Sequence, residues 1–461
     1  MTTITANSCS QMDIQTAITE AVSGDTIIIP SGNCNFTSPI SITKGLIIKG
    51  SGNTSTIITA NNTCIFSINL NSEQNMRITD IGFNGSGGVC GGLEAQLIRL
   101  SGNGNTIWNS FRADHLKFTN IDAHAFTIDP WWNIPYHPKA VFDHIDFSSN
   151  KWSRLIKIAG NNSTWRELDQ YGTDYAIFIE TSKFVWENGA HGDITDTEHG
   201  TRMVIRYNNI LNGDIQMHDT GSTPAARGQR ITEVYNNTMT CTSNDCSSIP
   251  GIALRGGGYI VYNNIITGYW TPGFPYIERV LSGAGFLGSK CNGSLVSACN
   301  TPTFMHCKEG DHRSCSGSWD CSGGECVVAC GSDSECPIGT DGTRTCLKSV
   351  DNVNEGNDPS GYPCRDQTGW GQEYGDGGRY QYSSPVYWYN NIDNNGNPAL
   401  MHYGILNTPY FVENRDYCYH SPHTACGTKP GWNYTPYTYP HPLTNQNECP
   451  KIIASFNINI I

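Results

Sequence analysis

The sequence predicts an all-β solenoid, specifically a parallel β-helix, and three observations support this fold class. A Tyr-Asn-Asn triplet recurs after β-branched strands, and its first three tyrosines, Tyr207, Tyr235 and Tyr262, are 28 and 27 residues apart. Self-similarity at this period is typical of a solenoid that adds one supersecondary unit per repeat. Short apolar strands broken by Gly, Ser and Asn fill most of the chain, and a helical pattern occurs only near its start.

That helical pattern spans residues 10 to 22, with Ser10 as the predicted N-cap. Its apolar residues fall largely on one helical face, namely Met12, Ile14, Ala17, Ile18, Ala21 and Val22. The first rung of a solenoid has an open apolar end and unpaired strand edges. We therefore predict that this short helix caps the first rung.

Equal residues of successive rungs lie above one another in a parallel β-helix, so repeated asparagines can stack as a hydrogen-bonded amide ladder. We predict such a ladder at Asn208, Asn236 and Asn263. The alternative is a β-sandwich or a propeller in which the triplets recur by accident. A sandwich would show turns every 8 to 12 residues or so, and a propeller blade would need about 40 residues, so neither explains the observed period.

The chain divides into four predicted segments. Ten of the 19 cysteines lie between Cys291 and Cys364, in a stretch too poor in apolar residues to form a core of its own. This stretch is either a lobe that grips a substrate or a loop held rigid against proteases. The predicted segments are a cap helix at 1–23, the β-helix at 24–290, a disulfide-rich insertion at 291–382, and the last rungs with an extended aromatic and proline-rich tail at 383–461.

Composition limits the classes of partner. Lys+Arg number 28 against 41 Asp+Glu, which gives a net charge of -13 and no basic excess to bind nucleic acid or an anionic membrane. No apolar run approaches the length of a membrane span. Nineteen cysteines without a CxxC pair favour disulfides in a secreted protein over a zinc site. Residues 1 to 10 lack the apolar segment of a signal peptide. We therefore expect a mature chain in which an initiator Met replaces the leader.

Ionisable side chains recur in register between residues 124 and 259. A solenoid projects equal positions of successive rungs from one face, so acids and bases distant in sequence are expected to line one cleft. The candidates are Asp143, His144, Asp193, Asp196, Glu198, His199, His218, Asp219, Arg227, Arg230 and Arg255. The tryptophans near this cleft, which suit stacking against sugars, are Trp131, Trp132, Trp152, Trp165 and Trp186.

Residues 139–238 resemble the core of the pectate lyase family and its right-handed parallel β-helix relatives. The segment AVFDHIDFS resembles their Val-Trp-Ile-Asp-His strand, and DITDTEHGTRMVIRYNN resembles their Asp-rich rung. RGQRITEVYNNTM resembles their Arg-containing strand that ends in Val-Tyr-Asn-Asn, and the three segments occur in the family's order. The resemblance covers about a fifth of the chain and implies a right-handed parallel β-helix, a scaffold that several activities share.

The resemblance also implies a chemistry. Acidic side chains would hold Ca²⁺ against a uronate carboxylate, which acidifies the C5 proton, and an arginine would act as the base for β-elimination. The implied metal ligands are Asp143, Asp193 and Asp196, and Glu198 in the same acidic segment is a further candidate ligand. The implied base is Arg227 or Arg230, and His199 and His218 are further catalytic candidates. Arg255, Trp131 and Trp132 are the candidates for substrate binding.

The sequence therefore predicts a secreted protein that cleaves an acidic extracellular polysaccharide by metal-assisted β-elimination. One alternative is an inverting glycoside hydrolase that uses two of the same acids, with room for a water between them. Another is a non-catalytic adhesin, tail-spike-like protein or filament subunit whose repeated face only binds. A set of oxygen ligands that surrounds one ion would favour the lyase. A carboxylate pair with room for a water between the two groups would favour the hydrolase, and scattered, solvated charges would favour the non-catalytic binding protein.

Overall fold

The computed structural model contains three parallel β-sheets, and each complete rung of the chain adds one strand to each sheet in turn. It describes residues 1–70, 74–90, 94–102, 110–128, 139–159, 170–187, 189–190, 192–198, 200–218, 228–242, 250–268, 271–276, 305–307, 346–348, 368–373, 381–402, 411–422, 424, 426 and 433–445. Most of the predicted disulfide-rich insertion lies outside these residues, so its boundaries stay a prediction.

The first sheet has twelve strands, in spatial order β1 (Thr3–Thr5), β2 (Thr26–Ile29), β5 (Ile47–Gly50), β8 (Asn75–Thr79), β11 (Ser110–Asp114), β14 (Ala140–Asp143), β17 (Ile177–Glu180), β20 (Arg202–Arg206), β23 (Ile231–Tyr235), β26 (Gly258–Tyr262), β33 (Val386–Tyr389) and β34 (Tyr417–Cys418). The second sheet has nine, namely β3 (Gly32–Phe36), β6 (Thr56–Asn61), β9 (Gly82–Ser86), β12 (Lys117–Thr119), β15 (Asp146–Ser149), β18 (Lys183–Trp186), β21 (Asn209–Leu211), β24 (Thr238–Cys241) and β27 (Ile265–Gly268).

The third sheet also has nine strands, namely β4 (Ile40–Ile42), β7 (Phe66–Leu70), β10 (Gln96–Gly102), β13 (His124–Ile128), β16 (Arg154–Ala159), β19 (Gly192–Glu198), β22 (Gly213–Gln216), β25 (Pro250–Arg255) and β28 (Thr271–Tyr276). Two antiparallel pairs lie outside the three sheets, β29 (Met305–Cys307) with β30 (Cys346–Lys348) and β31 (Trp370–Glu373) with β32 (Gln381–Ser383). The predicted fold class, a right-handed parallel β-helix with a short N-terminal capping helix, is confirmed.

Apolar side chains fill the solenoid because the strands pair in register. One core column of the first sheet runs through consecutive paired positions, namely Ile48, Ile78, Ala113, Phe142, Ile179, Ile205, Val234, Val261 and Trp388. All of these side chains are buried. In the second sheet the rings of Phe83 and Phe118 stack with centroids 5.2 Å apart. Burial of such columns removes apolar surface from water on every rung, which is the main stabilising contribution to the fold.

The predicted cap helix is confirmed as α1 (Gln11–Glu20). The side chain of Ser10 accepts a hydrogen bond from the Asp13 backbone N–H at 3.2 Å, as expected of an N-cap. Ile14, Ala17 and Ile18 are buried, and the helix contacts β2, β3 and β4 of the first rungs. Within the described residues, no helix has the length and apolar character that crossing a membrane requires.

Disulfides join three pairs of cysteines among the described residues, and Cys241 is also disulfide-bonded. Two of the three bonds lie in the N-terminal rungs. The pairs are Cys9–Cys34, Cys64–Cys90 and Cys418–Cys426. The expected use of cysteines as cross-links is therefore present in the fold.

An asparagine ladder stabilises the corner between the first and second sheets. The side-chain amide nitrogen of Asn208 donates to Asn237 Oδ1 at 3.0 Å, that of Asn237 donates to Asn264 Oδ1 at 2.9 Å, and that of Asn264 donates to Asn391 Oδ1 at 2.8 Å. The same oxygens also accept the backbone N–H groups of Asn208, Asn237 and Asn264. All four residues are buried, so the ladder satisfies polar groups that would otherwise lack water.

The predicted ladder was correct at Asn208 and wrong at Asn236 and Asn263. Arg206 pairs with Tyr235, so Tyr207, and not Asn208, occupies the same rung position as Asn236. Tyr207, Asn236 and Asn263 have φ angles of 54° to 56° and make the left-handed turn that ends each first-sheet strand. Asparagine tolerates this left-handed conformation better than most residues. The first asparagine of each later triplet therefore takes the turn position, and the second asparagine stacks in the ladder.

The aromatic tail crosses the outer side of the first sheet as a strap, defined here as residues 433–445. Arg206 donates to the backbone oxygens of Tyr437 and Thr438 at 2.6 and 2.8 Å. The His441 backbone N–H donates to Glu180 Oε1 at 2.9 Å, and Tyr434 hydrogen-bonds Glu233. The strap therefore supplies partners for two carboxyl groups that are buried on the first sheet.

We predict that Asn237→Ala destabilises the protein by about 3 kcal/mol, because it leaves the buried backbone N–H of Asn208 and one of the two N–H groups of its side-chain amide without an acceptor. Urea or thermal unfolding monitored by circular dichroism measures the change. Asn209→Ala is the matched control, since Asn209 is an exposed neighbour, and we expect a change within about 0.5 kcal/mol. Equal effects of the two substitutions would contradict the role of the ladder.

A second prediction concerns pH. Burial raises the pKa of Glu233 to about 7 against the opposing hydrogen bonds from Gly172 and Tyr434. The folded protein therefore holds this proton more tightly than the unfolded chain, and the associated stability is lost as the pH rises from about 4.5 to about 7. Glu233→Gln keeps the side chain neutral, so the free energy of unfolding of the variant relative to wild type should rise by about 3 kcal/mol across that window.

Unfolding of both proteins at a series of pH values between 4 and 8 measures this difference. Glu187→Gln, at an exposed position, is the control and should follow the wild-type curve. A constant difference between Glu233→Gln and wild type over the whole window would show that Glu233 does not titrate there.

Candidate metal and carbohydrate site on the third sheet

The third sheet aligns ionisable side chains in two columns. Strand pairing places Arg154 beside His124 on one side and Asp193 on the other, and Asp193 pairs with Asp214. The second column runs through paired positions from Arg99 to Thr127, Lys157 and Asp196. The basic residues stand on β10, β13 and β16, and the acids stand on β19 and β22. A basic half and an acidic half therefore meet between β16 and β19.

Arg154 holds this boundary together. Its Nε atom lies 2.5 Å from Asp193 Oδ2, and its Nη1 atom lies 2.6 Å from Asp196 Oδ2. Burial alone would raise the pKa of Asp196, but His218, Arg154 and Lys157 outweigh burial and hold the pKa far below its usual range. Asp196 is therefore a buried carboxylate that stays ionised at any physiological pH.

Lys157 lies on the same boundary and keeps access to solvent. Its Nζ atom is 2.5 Å from Glu94 Oε1 and 3.6 Å from Asp196 Oδ2, and its side chain is 25% exposed. Burial would lower the pKa of Lys157, but Asp196 and Glu94 outweigh burial and raise the pKa. The hydrogen bond with His124 lowers the pKa of Glu94 to about 2. Lys157 is therefore a protonated ammonium at neutral pH.

Asp196, Glu198 and His218 form a group that could hold a metal ion, called the ion triad below. One ligand atom of each residue lies within 4.8 Å of the others. Asp196 and Glu198 flank Thr197 on β19, and the Thr197 hydroxyl turns away to Met217 Sδ at 3.0 Å. His218 follows β22, and its Nε2 atom lies 2.7 Å from Asp196 Oδ1. The triad thus joins residues from two successive rungs.

Asp193 and Asp214 form a buried carboxyl pair beneath this surface. Burial, and then the charge of Asp193, raises the pKa of Asp214 well above its usual value, and the two side chains hydrogen-bond each other. Asp214 is therefore the protonated partner, and Asp193 is the member of the pair that binds Arg154. The pair orients Arg154 and is too close to enclose a water molecule between its carboxyl groups.

The structure brings together four of the sequence-predicted site residues, Asp193, Asp196, Glu198 and His218. Asp143 is not among them, although it is a predicted metal ligand. It ends a strand of the first sheet, where both of its oxygens accept from Arg112 at 2.9 Å and His144 Nδ1 lies 2.7 Å away. Its carboxylate neutralises a buried guanidinium, and its different sheet keeps it apart from the other acids.

The predicted arginines have different surroundings. The Arg230 side chain is fully buried, with Nη1 3.5 Å from Ser384 Oγ, so no polymer could reach its guanidinium in this conformation. Arg255 ends β25 of the third sheet and is partly exposed. Trp186 packs in the core, whereas Trp152 is exposed beside Arg154. The predicted Arg227, His199, Trp131, Trp132, Asp219 and Trp165 lie outside the described residues.

Sequence reasoning missed five residues of this site, namely Glu94, His124, Arg154, Lys157 and Asp214. A signal for most of them exists in the chain. The segments QLIR, HAFT, RLIK and DITD start at residues 96, 124, 154 and 193 and occupy the same rung position. In each, two outer residues flank two inner residues, and the inner pair of the first three segments is buried apolar. This repeated four-residue pattern marks the outward positions of the third sheet.

Comparisons with known proteins give the fold and little more. No protein-family model matches the chain, and no curated protein matches it. The chain is similar to a PL6 family polysaccharide lyase from Pseudopedobacter saltans, with 15% identity over 60% of this chain and 67% of that chain and a TM-score of 0.38. It is also similar to a PL6 alginate lyase in complex with a trisaccharide, with 11% identity over 60% of this chain and 83% of that chain and a TM-score of 0.17.

Neither TM-score reaches 0.5, so neither likeness carries an argument about the chemistry of this chain. The fold assignment follows from the three parallel sheets themselves. The predicted resemblance to the pectate lyase-like parallel β-helix proteins is confirmed at the level of the fold. Any activity has to be argued from the site on the third sheet.

Proposed function

We propose that this protein is a secreted polysaccharide lyase that cleaves an acidic glycan by metal-assisted β-elimination on the third sheet. The observation that carries the proposal is the position of the ion triad at the boundary with the basic rungs. Two carboxylates and an imidazole gather within 4.8 Å, and Lys157, a partly exposed ammonium, lies 3.6 Å from one of them. An acidic sugar that spans the boundary would meet a cation from each side.

The charge distribution supports an acidic substrate even though the whole protein carries a net charge of -13. The basic residues Arg99, His124, Arg154 and Lys157 occupy the rungs that precede the triad on this sheet. The Glu94 carboxylate offsets part of this positive charge, but a bound divalent ion would neutralise the acids on the other side and leave the strip favourable to an anion. A neutral glycan would gain nothing from this arrangement.

The donor set fits a divalent ion. Asp196 and Glu198 offer the hard oxygens that Ca²⁺ prefers, and a uronate carboxylate and water would add more. His218 offers a nitrogen, which suits Mn²⁺ or Zn²⁺ better than Ca²⁺. Ca²⁺ remains our proposal, with His218 kept as the hydrogen-bonding partner that orients Asp196. When bound, the ion would neutralise the uronate carboxylate and so make the C5 proton more acidic.

Lys157 is proposed as the group that donates a proton to the departing glycosidic oxygen. A general acid must carry its proton at the working pH, and the neighbouring carboxylates keep Lys157 protonated by raising its pKa. An ion bound by Asp196 would weaken this effect and bring the pKa closer to the working pH, where proton donation is more efficient. Arg154, which is bound to Asp193 and Asp196, is proposed to fix the two acids in place. The resemblance still implies Arg227 as the base, with His199 as a further candidate.

The geometry gives less support to an inverting hydrolase. Ligand oxygens of Asp196 and Glu198 lie within 4.8 Å, whereas inverting enzymes separate their carboxyl groups by about 6.5 to 9.5 Å to admit a water. Asp193 and Asp214 are in hydrogen-bonding contact. A non-catalytic surface protein stays as the outcome in which the strip binds a glycan without cleaving it.

We predict that incubation with one of pectate, alginate or glucuronan produces the ultraviolet absorbance of an unsaturated uronate, and that a chelator abolishes the rise. Asp196→Asn and Lys157→Ala should each lower the rate by about 100-fold or more, because one removes a ligand of the ion and the other removes the proton donor. Thermal unfolding of each variant confirms that it is folded.

Asp146→Asn and Lys183→Ala are the matched controls, because both side chains lie on the second sheet away from the triad and should leave the rate within about twofold of wild type. New reducing ends on a neutral glycan, without the absorbance change, would establish a hydrolase. Binding without any product would establish a carbohydrate-binding surface protein.

A further inference from the structure

We propose that Trp152 is a sugar-stacking platform that binds the part of the glycan next to the ion triad, toward the N-terminal rungs. This inference rests on the proposed function for its choice of ligand, and it adds a residue that binds substrate and takes no part in the chemistry. The ligand class is an anionic polysaccharide whose pyranose ring presents a face of C–H groups.

Trp152 differs from the other tryptophans in the described residues by its exposure. Trp186, Trp370 and Trp388 are buried, whereas Trp152 is 44% exposed. A large apolar ring in water gains free energy when another apolar surface covers it, and the C–H face of a sugar can do so. The exposed ring lies two residues before the strand that carries Arg154 and Lys157, where a glycan bound at the triad would pass.

The backbone around Trp152 is fixed before any ligand binds. Ser149 Oγ accepts from the Lys151 backbone N–H at 3.1 Å, and Ser153 Oγ accepts from Trp186 Nε1 at 3.1 Å. The Ser153 carbonyl accepts from the Asp193 backbone N–H at 3.2 Å. Both serines are buried. A rigid platform loses little conformational entropy when a sugar stacks on it, so more of the contact energy appears as affinity.

One face of the ring is already covered. The Arg154 guanidinium carbon lies 4.4 Å from the centroid of the Trp152 ring, and the edge-on His124 ring lies 6.3 Å away at 75°. Since nearly half of the residue remains exposed, the open surface is available to a ligand. The ring is therefore oriented by Arg154 and presented to solvent.

A short series of contacts ties this platform to the triad. Trp152 packs on Arg154, Arg154 binds Asp196 at 2.6 Å, and Asp196 lies 2.7 Å from His218. The platform and the triad thus have a set spacing across adjacent rungs. Neighbouring sugars of one chain can occupy both places, and the basic side chains beside the platform favour an acidic sugar there.

Trp152 could instead serve only to support Arg154, and the two roles have different consequences. If Trp152 only supports Arg154, its loss would disturb Arg154 and Asp196. Both the affinity for the cation and kcat would then change. Loss of a platform would weaken glycan binding and raise KM while the cation affinity and kcat stay close to wild type.

The test compares Trp152→Ala, Trp152→Phe and wild type with the acidic glycan that wild type binds most tightly on a panel of pectate, alginate and glucuronan. Glycan affinity is measured by isothermal titration calorimetry with Ca²⁺ present and with every protein in a Lys157→Ala background, which slows turnover, and cation affinity is measured from the shift in melting temperature with Ca²⁺. Tyr439→Ala is the control, because Tyr439 is a similarly exposed aromatic, at 40%, on the strap over the first sheet.

We expect Trp152→Ala to weaken glycan binding and raise KM by about 10-fold, the loss of a single aromatic contact, while Trp152→Phe stays within about threefold of wild type. Cation affinity and kcat should stay within about threefold in both. Glycan affinity of Trp152→Ala equal to that of Tyr439→Ala would overturn the platform even if the protein is a lyase. Glycan binding that depends on Trp152 but yields no product would refute the lyase and keep the platform, and a wild-type protein that binds no glycan would refute both.

Discussion

Everything in this structure depends on the in-register stacking of rungs. Parallel strands about 4.8 Å apart place each residue above its equivalent in the preceding rung, so one choice of residue is repeated as a column. At the corner after the first sheet, a left-handed residue turns each rung from β8 to β33 in the same way, and the buried ladder from Asn208 to Asn391 links the last of these rungs. A shift of register by one residue would exchange inner and outer side chains on every strand.

Because the rungs stack in register, buried side chains of opposite charge come to lie side by side on neighbouring strands. On the first sheet, Arg77 binds Asp114 with two hydrogen bonds of 2.7 Å, and Arg112 binds Asp143 in the same way at 2.9 Å. These acids are fully paired and buried, and each pair joins two adjacent strands of the first sheet. The acids of the third sheet differ because Asp196 shares its oxygens among several partners and lies next to Glu198 and a partly exposed lysine.

The fold and about half of the candidate site could be predicted from the sequence, and the reason is physical. The Tyr-Asn-Asn triplets are 28 and 27 residues apart, within one residue of the rung lengths of 29 and 27, and the acids of the third sheet lie close together in one segment, so both could be predicted. Arg154 could not be assigned to Asp193, because 39 residues separate these strand partners whereas only 21 separate Asp193 from Asp214. Because the segments between paired strands differ so much in length, the sequence alone does not show which residues of successive rungs pair. For the same reason Asp143 was grouped with acids that belong to another sheet, and the ladder was placed one residue early in two rungs.

The claim on which the functional account depends is that the triad binds a divalent ion. A crystal structure of the protein soaked in Mn²⁺, as an anomalously scattering substitute for Ca²⁺, tests this claim directly. We expect an anomalous difference peak within coordination distance of both Asp196 and Glu198, with Asp193 still bound to Arg154. A map at saturating Mn²⁺ with the ion bound elsewhere and no peak at the triad would contradict the claim.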